Sequence, residues 1–190
     1  MKDKYQVIVI GAGPAGYHAA IRCAQLGLST ACIDKMVSKE GNPTLGGTCL
    51  NWGCIPSKTL LDASHKFHEL DHGMEQFGIS TGKVSIDVAK MMENKDAVVN
   101  QLTGGVSALL SGNGVDILAG TGKLLANKRV LFTDHDGVEV ELAGEDIILA
   151  PGSVPVEIPA APLDDDLILD STGALEFKAV PKTLGIIGAG

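Results

Sequence analysis

Gln6-Val7-Ile8-Val9-Ile10-Gly11-Ala12-Gly13-Pro14-Ala15-Gly16 is the stretch that decides the fold. Residues 6–10 are a short apolar run rich in β-branched side chains, the pattern of a central parallel strand buried on both faces. The glycines break that run. Residues 17–26 then read as a helix ended by Gly27, and residues 29–34 as a second strand. The unit takes about 30 residues, the size of a dinucleotide half-fold. Gly11, Gly13 and Gly16 match G-x-G-x-x-G, with Pro14 and Ala15 at its variable positions. Gly11 permits the tight turn, Gly13 lets backbone approach a pyrophosphate at the positive helix end, and Gly16 lets the helix pack closely on the strand. Asp34, followed by Lys35, closes the second strand and can accept hydrogen bonds from ribose hydroxyls. A glycine turn alone is a weak signal. Here it follows a buried strand, opens a helix and precedes an acidic residue, so nucleotide binding is expected. The fingerprint does not choose between FAD and NAD.

Working outward, residues 35–48 are polar and glycine-rich, hence a loop. A helix is expected from Cys49 through Lys58 towards Leu70, and a second over residues 87–111, weakened near its end by Gly104-Gly105. Residues 115–118, 122–125, 129–133 and 138–142 read as short strands, with Asp136-Gly137 as a hairpin turn. Residues 146–150 read as a buried strand stopped by Pro151-Gly152, and 151–162 as a linker. Residues 183–190 repeat the apolar run into Gly-Ala-Gly and are expected to begin a second dinucleotide unit, cut short. The expected fold class is α/β: a Rossmann-like parallel sheet with a helical insertion and a small antiparallel meander over residues 1–152. Residues 153–190 are expected to be a linker and the first strand of a second such domain.

The most informative chemistry lies in Gly46-Gly47-Thr48-Cys49-Leu50-Asn51-Trp52-Gly53-Cys54-Ile55-Pro56-Ser57-Lys58. C-x4-C is not the usual zinc spacing when no second pair follows, and no metal site is expected. Two core cysteines remain the plain alternative, as read for Cys23 and Cys32. The redox reading has a physical basis. Both residues sit near the start of an expected helix, with Lys58 one turn beyond Cys54, and both features favour thiolate and a lowered thiol pKa. Gly53 and Pro56 disturb regular helix and help the chain close a short ring. His65, His68 and His72, with Glu69 nearby, read as a solvated helix face.

Composition narrows the rest. With 190 residues, 45% hydrophobic, a packed core is expected. The formal net charge of −8 disfavours a nucleic-acid partner. Asp164-Asp165-Asp166 reads as a solvated turn. No apolar run is long enough for a transmembrane helix, and the first residues lack a signal-peptide pattern. The cysteine usage points to a reducing compartment, a bacterial cytoplasm before an organelle matrix.

These motifs resemble the pyridine nucleotide–disulfide oxidoreductase family, and within it the lipoamide branch, over essentially the whole chain. The resemblance also runs through Asn100-Gln101-Leu102-Thr103-Gly104-Gly105, Gly120-Thr121-Gly122-Lys123-Leu124, Ile147-Ile148-Leu149-Ala150-Pro151-Gly152-Ser153 and Asp170-Ser171-Thr172-Gly173-Ala174-Leu175. Glutathione and mercuric reductases share the fingerprint and the C-x4-C pair, but Cys-Leu-Asn-x-Gly-Cys-Ile-Pro-Ser-Lys is more like the lipoamide enzymes. The resemblance implies FAD and NAD as cofactors, with oxidation of dihydrolipoamide through a Cys49–Cys54 redox disulfide. Cys49 is then the interchange thiol, and Cys54 the flavin-side charge-transfer thiolate. Lys58 lies beside the flavin ring, Asp34 holds the adenosine ribose, and Gly47 and Thr48 contact the pyrophosphate or flavin side. Gly120 and Gly122 take the adenine side, and Ala150 to Gly152 the backbone near the isoalloxazine. The implied partners are a lipoyl domain of a 2-oxo acid dehydrogenase acyltransferase and a second copy of the chain. The family's His–Glu base, the NAD site and the dimer interface are expected to lie outside this sequence, which leaves an inactive flavin-binding fragment as an alternative. Asp34 departs from the family's usual glutamate, and Trp52 from a small apolar residue.

Overall fold

A computed structural model describes residues 2–164 and 166–188. Five strands and four α-helices follow in the order β1 (Lys4–Ile10), α1 (Pro14–Gln25), β2 (Thr30–Asp34), α2 (Gly47–Trp52), α3 (Cys54–His72), α4 (Val88–Gly112), β3 (Asp116–Leu124), β4 (Arg129–Asp134) and β5 (Glu139–Leu149). Short 3-10 turns occupy Glu75–Phe77 and Gly173–Glu176. The chain is a mixed α/β fold, as expected.

β1 is the central strand. It pairs in parallel with β2 (Val7 opposite Thr30, Ile10 opposite Ile33) and with β5 (Lys4 opposite Ala143, Ile10 opposite Leu149). β2 in turn pairs in parallel with the first half of β3 (Ala31 opposite Asp116, Asp34 opposite Ala119). The second half of β3 turns away to pair antiparallel with β4, and β4 pairs antiparallel with the first half of β5. The five strands thereby close on themselves. From Val7 onward the period-two alternation of β1 divides the core in two; just before it the Gln6 and Val7 N–H groups both donate to Ser29 O, an irregularity that leaves Tyr5 on the same side as Ile8. Val7 and Val9 pack with Ala20, Leu50, Val106 and Leu110 on the helical side, while Tyr5 and Ile8 pack with Val130, Phe132 and Leu142 on the meander side.

Several boundaries differ from expectation, each for a physical reason. The segments 115–118 and 122–125 form one continuous strand, as do 138–142 and 146–150. Gly120 and Gly144 lie where each strand passes between the parallel sheet and the meander. A side chain there would collide: a Cβ on Gly120 would lie 2.2 Å from the Thr133 carbonyl oxygen, and one on Gly144 2.5 Å from Ile147 Cδ1. The Asp136-Gly137 turn forms as expected, with the Asp134 carboxylate accepting from the Asp136 and Val138 N–H groups at 3.0 and 2.9 Å. α1 begins at Pro14, where proline's missing N–H costs nothing. The helix expected to start at Cys49 starts at Gly47 and breaks at Gly53. Gly104 and Gly105 lie inside α4, which runs 25 residues and buries Lys95, Val106 and Leu110.

The strand expected at residues 183–190 does not form over its described part. Residues 183–188 carry no regular structure, and Leu184, Ile186 and Ile187 are exposed. A strand needs a neighbour for its N–H and C=O groups, and among the described residues none lies beside it. Ala189 and Gly190, the end of the second glycine pattern, lie outside the described residues. Asp164 behaves as a turn residue, accepting from the Asp166, Leu167 and Ile168 N–H groups, which hold its carboxyl below the ordinary range. Asp165 is outside the described residues.

Charged residues fasten the later segment to the sheet domain. Lys95, 1% exposed on α4, donates to the Leu175 carbonyl and to Glu176 Oε1, both at 2.9 Å. Lys39 Nζ lies 2.7 Å from Glu176 and 3.0 Å from Asp96. The loop after β2, helix α4 and the 3-10 turn at Gly173–Glu176 thus share one cluster.

Leu142 is fully buried between sheet and meander, whereas Leu149 on the same strand is 58% exposed. Urea unfolding should show Leu142→Ala losing about 2–5 kcal/mol, while Leu149→Ala stays within about 1 kcal/mol of the parent. Equal losses would contradict the two-layer core.

A candidate nucleotide and dithiol site

The site starts where backbone meets backbone. Gly11 has φ +104°, and a Cβ on it would lie 1.9 Å from the Ala150 carbonyl oxygen; a Cβ on Gly16 would lie 1.7 Å from the Gly11 oxygen. The Gly11 N–H donates to Ile33 O and the Ala150 N–H to Ile10 O, each at 2.8 Å. The end of β5 therefore sits directly beside the glycine turn. Asp34 braces the turn from the other side, its Oδ2 accepting from the Ala12 N–H at 2.5 Å and its Oδ1 from the Met36 N–H at 2.8 Å. Each carboxylate oxygen keeps a further lone pair, so the bracing leaves room for a ribose hydroxyl.

α1 opens from Gly13 as N-cap with no side-chain cap, so its first N–H groups have no partner within the helix. α2 starts beside it. Gly46 and Gly47 have φ of +97° and +59°, and a Cβ on Gly47 would lie 2.6 Å from Gly13 Cα. The Gly46 N–H donates to Ala12 O at 2.9 Å. Two helix beginnings, each opened by glycines, thus stand side by side, an arrangement suited to an anionic pyrophosphate. The positions a side chain would fill are glycines, which is the fit a close-lying nucleotide backbone requires. Among the other sequence-derived positions, Pro14, Ala15 and Thr48 are exposed at these helix starts, and Lys35 is exposed after Asp34. Gly120 follows Ala119, the partner of Asp34, and so lies at the same edge. Gly122 lies lower, where a Cβ would meet Ile33 and Ile10 side chains at 3.2 and 3.3 Å. Gly152 is exposed, with φ +74°.

α2 carries the dinucleotide edge to the thiols. Gly53, with φ −141° and ψ −110°, ends α2 and opens α3. A Cβ there would lie 3.0 Å from Thr48 O and 3.4 Å from Cys49 Cα, so glycine lets the chain fold back and place Cys54 against Cys49. Ser57 Oγ donates to Gly53 O at 2.7 Å and steadies the new helix start. Both thiols are free, Cys49 half-buried and Cys54 exposed, and Cys54 is close enough to act on the Cys49 thiol. Lys58 is exposed one turn along α3.

One electrostatic expectation is corrected. The Cys49 thiol is pushed up, not down: burial acts first, then the hydrogen bond with Cys54 and its charge, and the Lys58 charge is only a weak counterweight. Two neighbouring thiols cannot both ionise cheaply, because the second charge is repelled by the first. Cys32 is pushed up to about 12 by burial, then by the Asp34 charge, and is an inert core residue as read; Cys23 packs against the same core.

Two site residues carried no role in the sequence reading. Tyr17 packs at the start of α1, its hydroxyl held above the ordinary range by burial and then by Cys49. Asn51 is buried within α2 and bonds the loop before it. The available signal was position: Tyr17 directly follows the glycine fingerprint, and Asn51 lies inside the quoted cysteine stretch. The histidines pair along α3, His65 with Glu69 at 3.3 Å and His68 stacked on His72 at 5.0 Å, and no group of three metal-ligating side chains occurs among the described residues. Nor is any helix among them long and apolar enough to cross a membrane. An open apolar hollow of about 1060 Å³ lies within residues 155–187, and its lining includes none of these site residues.

A parallel sheet with a glycine-opened helix, a second glycine-opened helix and adjoining thiols define a nucleotide-dependent disulfide oxidoreductase class. The pyridine nucleotide-disulphide oxidoreductase family profile matches residues 5–190, and the chain belongs to that family. It is 45% identical to a dihydrolipoyl dehydrogenase of Cupriavidus necator, covering 100% of this chain and 40% of the relative. It is 47% identical to dihydrolipoyl dehydrogenase 3 of Pseudomonas aeruginosa, covering 100% and 39%. It is 45% identical to a leghemoglobin reductase of Vigna unguiculata, covering 99% and 35%. Among solved structures, LpdA from Mycobacterium tuberculosis superposes with a TM-score of 0.78 at 26% identity, covering 93% of this chain and 38% of that one. The HOCl-induced flavoprotein disulfide reductase RclA from Escherichia coli, as its Cu(II) complex, superposes with a TM-score of 0.74 at 28% identity, covering 93% and 35%. The chain thus spans about two-fifths of its relatives' length.

A raised Cys49 stays protonated at neutral pH in the dithiol state, and its reactive thiolate grows in only as pH rises past the ordinary thiol range. Alkylation of reduced protein, followed by peptide mass spectrometry, should place the Cys49 midpoint above the ordinary value of about 8.5. Cys54→Ala should lower it by removing the shared hydrogen bond and charge. A Cys49 rate already flat below about pH 7 would contradict this reading.

Proposed function

We propose that this chain is the FAD- and dithiol-bearing part of a dihydrolipoyl dehydrogenase. The observation that carries the proposal is the direct backbone contact between the dinucleotide turn at Gly13 and the start of the helix that bears Cys49. It puts a nucleotide-binding edge and a pair of thiols on one short helix.

Gly11, Gly13, Pro14, Ala15, Gly16, Gly47 and Thr48 would hold the FAD pyrophosphate, Asp34 and Lys35 the ribose end, and Gly120 and Gly122 the adenine side. Ala150, Gly152 and Lys58 would border the flavin ring. FAD bound there supplies two-electron acceptor chemistry, and NAD is the final acceptor. The residues of this chain do the sulfur chemistry. A thiolate of dihydrolipoamide attacks Cys49 Sγ of the Cys49–Cys54 disulfide, and Cys54 leaves carrying the electron pair of the broken S–S bond. The second substrate thiol then attacks the substrate sulfur of the mixed disulfide, releasing lipoamide and the Cys49 thiol. Two electrons and two protons have passed from substrate to the cysteine pair. In a complete protein the substrate arrives on a lipoyl domain of a 2-oxo acid dehydrogenase acyltransferase, two copies form a dimer, and the compartment is the cytoplasm.

A second reading, another disulfide reductase of the family, is favoured by the likeness to the flavoprotein disulfide reductase RclA. Assay of the full-length protein with dihydrolipoamide and NAD, against glutathione disulfide with reduced nicotinamide cofactor, separates the two. Turnover of only the latter would overturn the lipoamide assignment.

The sequence contains 4 cysteines. Under denaturing conditions the reduced chain should titrate all of them, and the air-oxidised chain should lose the Cys49 and Cys54 signals while keeping Cys23 and Cys32. Gly47→Ala should weaken FAD binding by about tenfold or more, since a Cβ at φ +59° drives α2 off Gly13. Unchanged flavin affinity in that variant would count against the pyrophosphate assignment.

A further inference from the structure

α2 is only six residues long and starts from two glycines at positive φ, so it cannot hold its own position. Asn51, 7% exposed, supplies what is missing. Its Nδ2 donates to Leu45 O at 3.0 Å and to Gly47 O at 2.9 Å, and its Oδ1 accepts from Thr44 Oγ1 at 3.2 Å. The orientation of the carboxamide follows from its partners: two carbonyl oxygens can only accept, so the nitrogen must face them. These bonds straddle Gly46 and Gly47, whose backbone contacts Ala12 and Gly13. Cys49 lies two residues before Asn51 on the same helix.

We infer that Asn51 is a positioning residue: its carboxamide locks the Gly46–Gly47 turn, and through it sets both the seat of the redox helix on the dinucleotide turn and the spacing of Cys49 from Cys54. This rests on the proposed function for its redox consequence but not for its structural one. An aspartate has the same shape and no N–H when ionised, so it would aim a carboxylate at two carbonyls. Such an aspartate is driven towards its neutral form, and the acid regains one donor. The groups that meet the carboxamide, the Leu45 and Gly47 carbonyls and the Thr44 hydroxyl, are uncharged, and Cys49 is the titratable side chain of α2 itself.

The test compares wild type, Asn51→Asp and Asn51→Leu at about pH 5.5 and about pH 8. The first readout is hydrogen exchange at the Gly46 amide, corrected for intrinsic rate, which needs neither FAD nor a disulfide. The second is the equilibrium of the reduced chain with glutathione disulfide, in which two protein thiols and one glutathione disulfide give the Cys49–Cys54 disulfide and two glutathione molecules. Asn51→Asp should exchange Gly46 about tenfold faster than wild type at the higher pH and shift the thiol equilibrium by a similar factor, with both returning towards wild type at the lower pH. Asn51→Leu should be impaired at both, because no proton restores its donor. Urea midpoints identify variants that have merely lost overall stability. The inference is overturned if Asn51→Asp matches wild type throughout, or if it matches Asn51→Leu at both pH values. If wild type exchanges normally at Gly46 but forms no Cys49–Cys54 disulfide, the proposed function falls, and the hydrogen-exchange result still decides the role of Asn51.

Discussion

Close contact of backbone with backbone at Gly11, Gly13 and Gly47 is the constraint on which the site depends. At Gly11 the turn touches Ala150, at Gly16 it touches itself, and at Gly13 it touches the start of α2. No side chain fits at the first two, and at Gly47 a Cβ would push into Gly13 Cα. With the side chains removed, the N–H groups at two helix starts come together at one edge of the sheet. The same contact carries position from β1 through α2 to Cys49. A nucleotide and a thiol pair can share one small structure because the link between them is a few ångströms of main chain rather than a loop.

The closed strand arrangement keeps that edge rigid. β3 and β5 each belong to the parallel sheet along part of their length and to the meander along the rest, so β4 ties together strands that flank β1 and β2. The core is accordingly two thin layers rather than one thick one. Beyond Leu149 the chain leaves this core, and charge replaces apolar burial as its attachment. Lys95 is buried yet fully occupied, with a carbonyl and two carboxylates around its ammonium group. A buried cation of this kind adds little net stability, but removal of its partners would leave an uncompensated charge, which fixes where the 3-10 turn at Gly173–Glu176 must sit.

The thiol pair shows how local rules and packing compete. A helix start and a nearby lysine both favour a thiolate, but the helix is six residues long, Lys58 is exposed, and Cys49 is half-buried beside a second thiol. Burial and the neighbouring Cys54 win for Cys49 in the dithiol state.

Much of this was legible in the amino-acid order alone. The β1–α1–β2 unit, the glycine fingerprint, the Asp136-Gly137 turn, the inert Cys32 and the candidate pair of cysteines follow from short-range patterns, because turn geometry, strand alternation and glycine's lack of a side chain act over a few residues. Tertiary structure decided the rest. Whether Gly120 and Gly144 end a strand or bend one depends on which neighbour lies across from them. Residues 183–188 have the apolar pattern of a strand, but a ladder is a property of two strands. The direction of the Cys49 shift depends on burial and on Cys54, and the part played by Asn51 on carbonyls that only the folded turn brings to it. Sequence patterning specifies what each segment can form by itself; long-range packing determines which buried groups meet, and so sets the chemistry of the site.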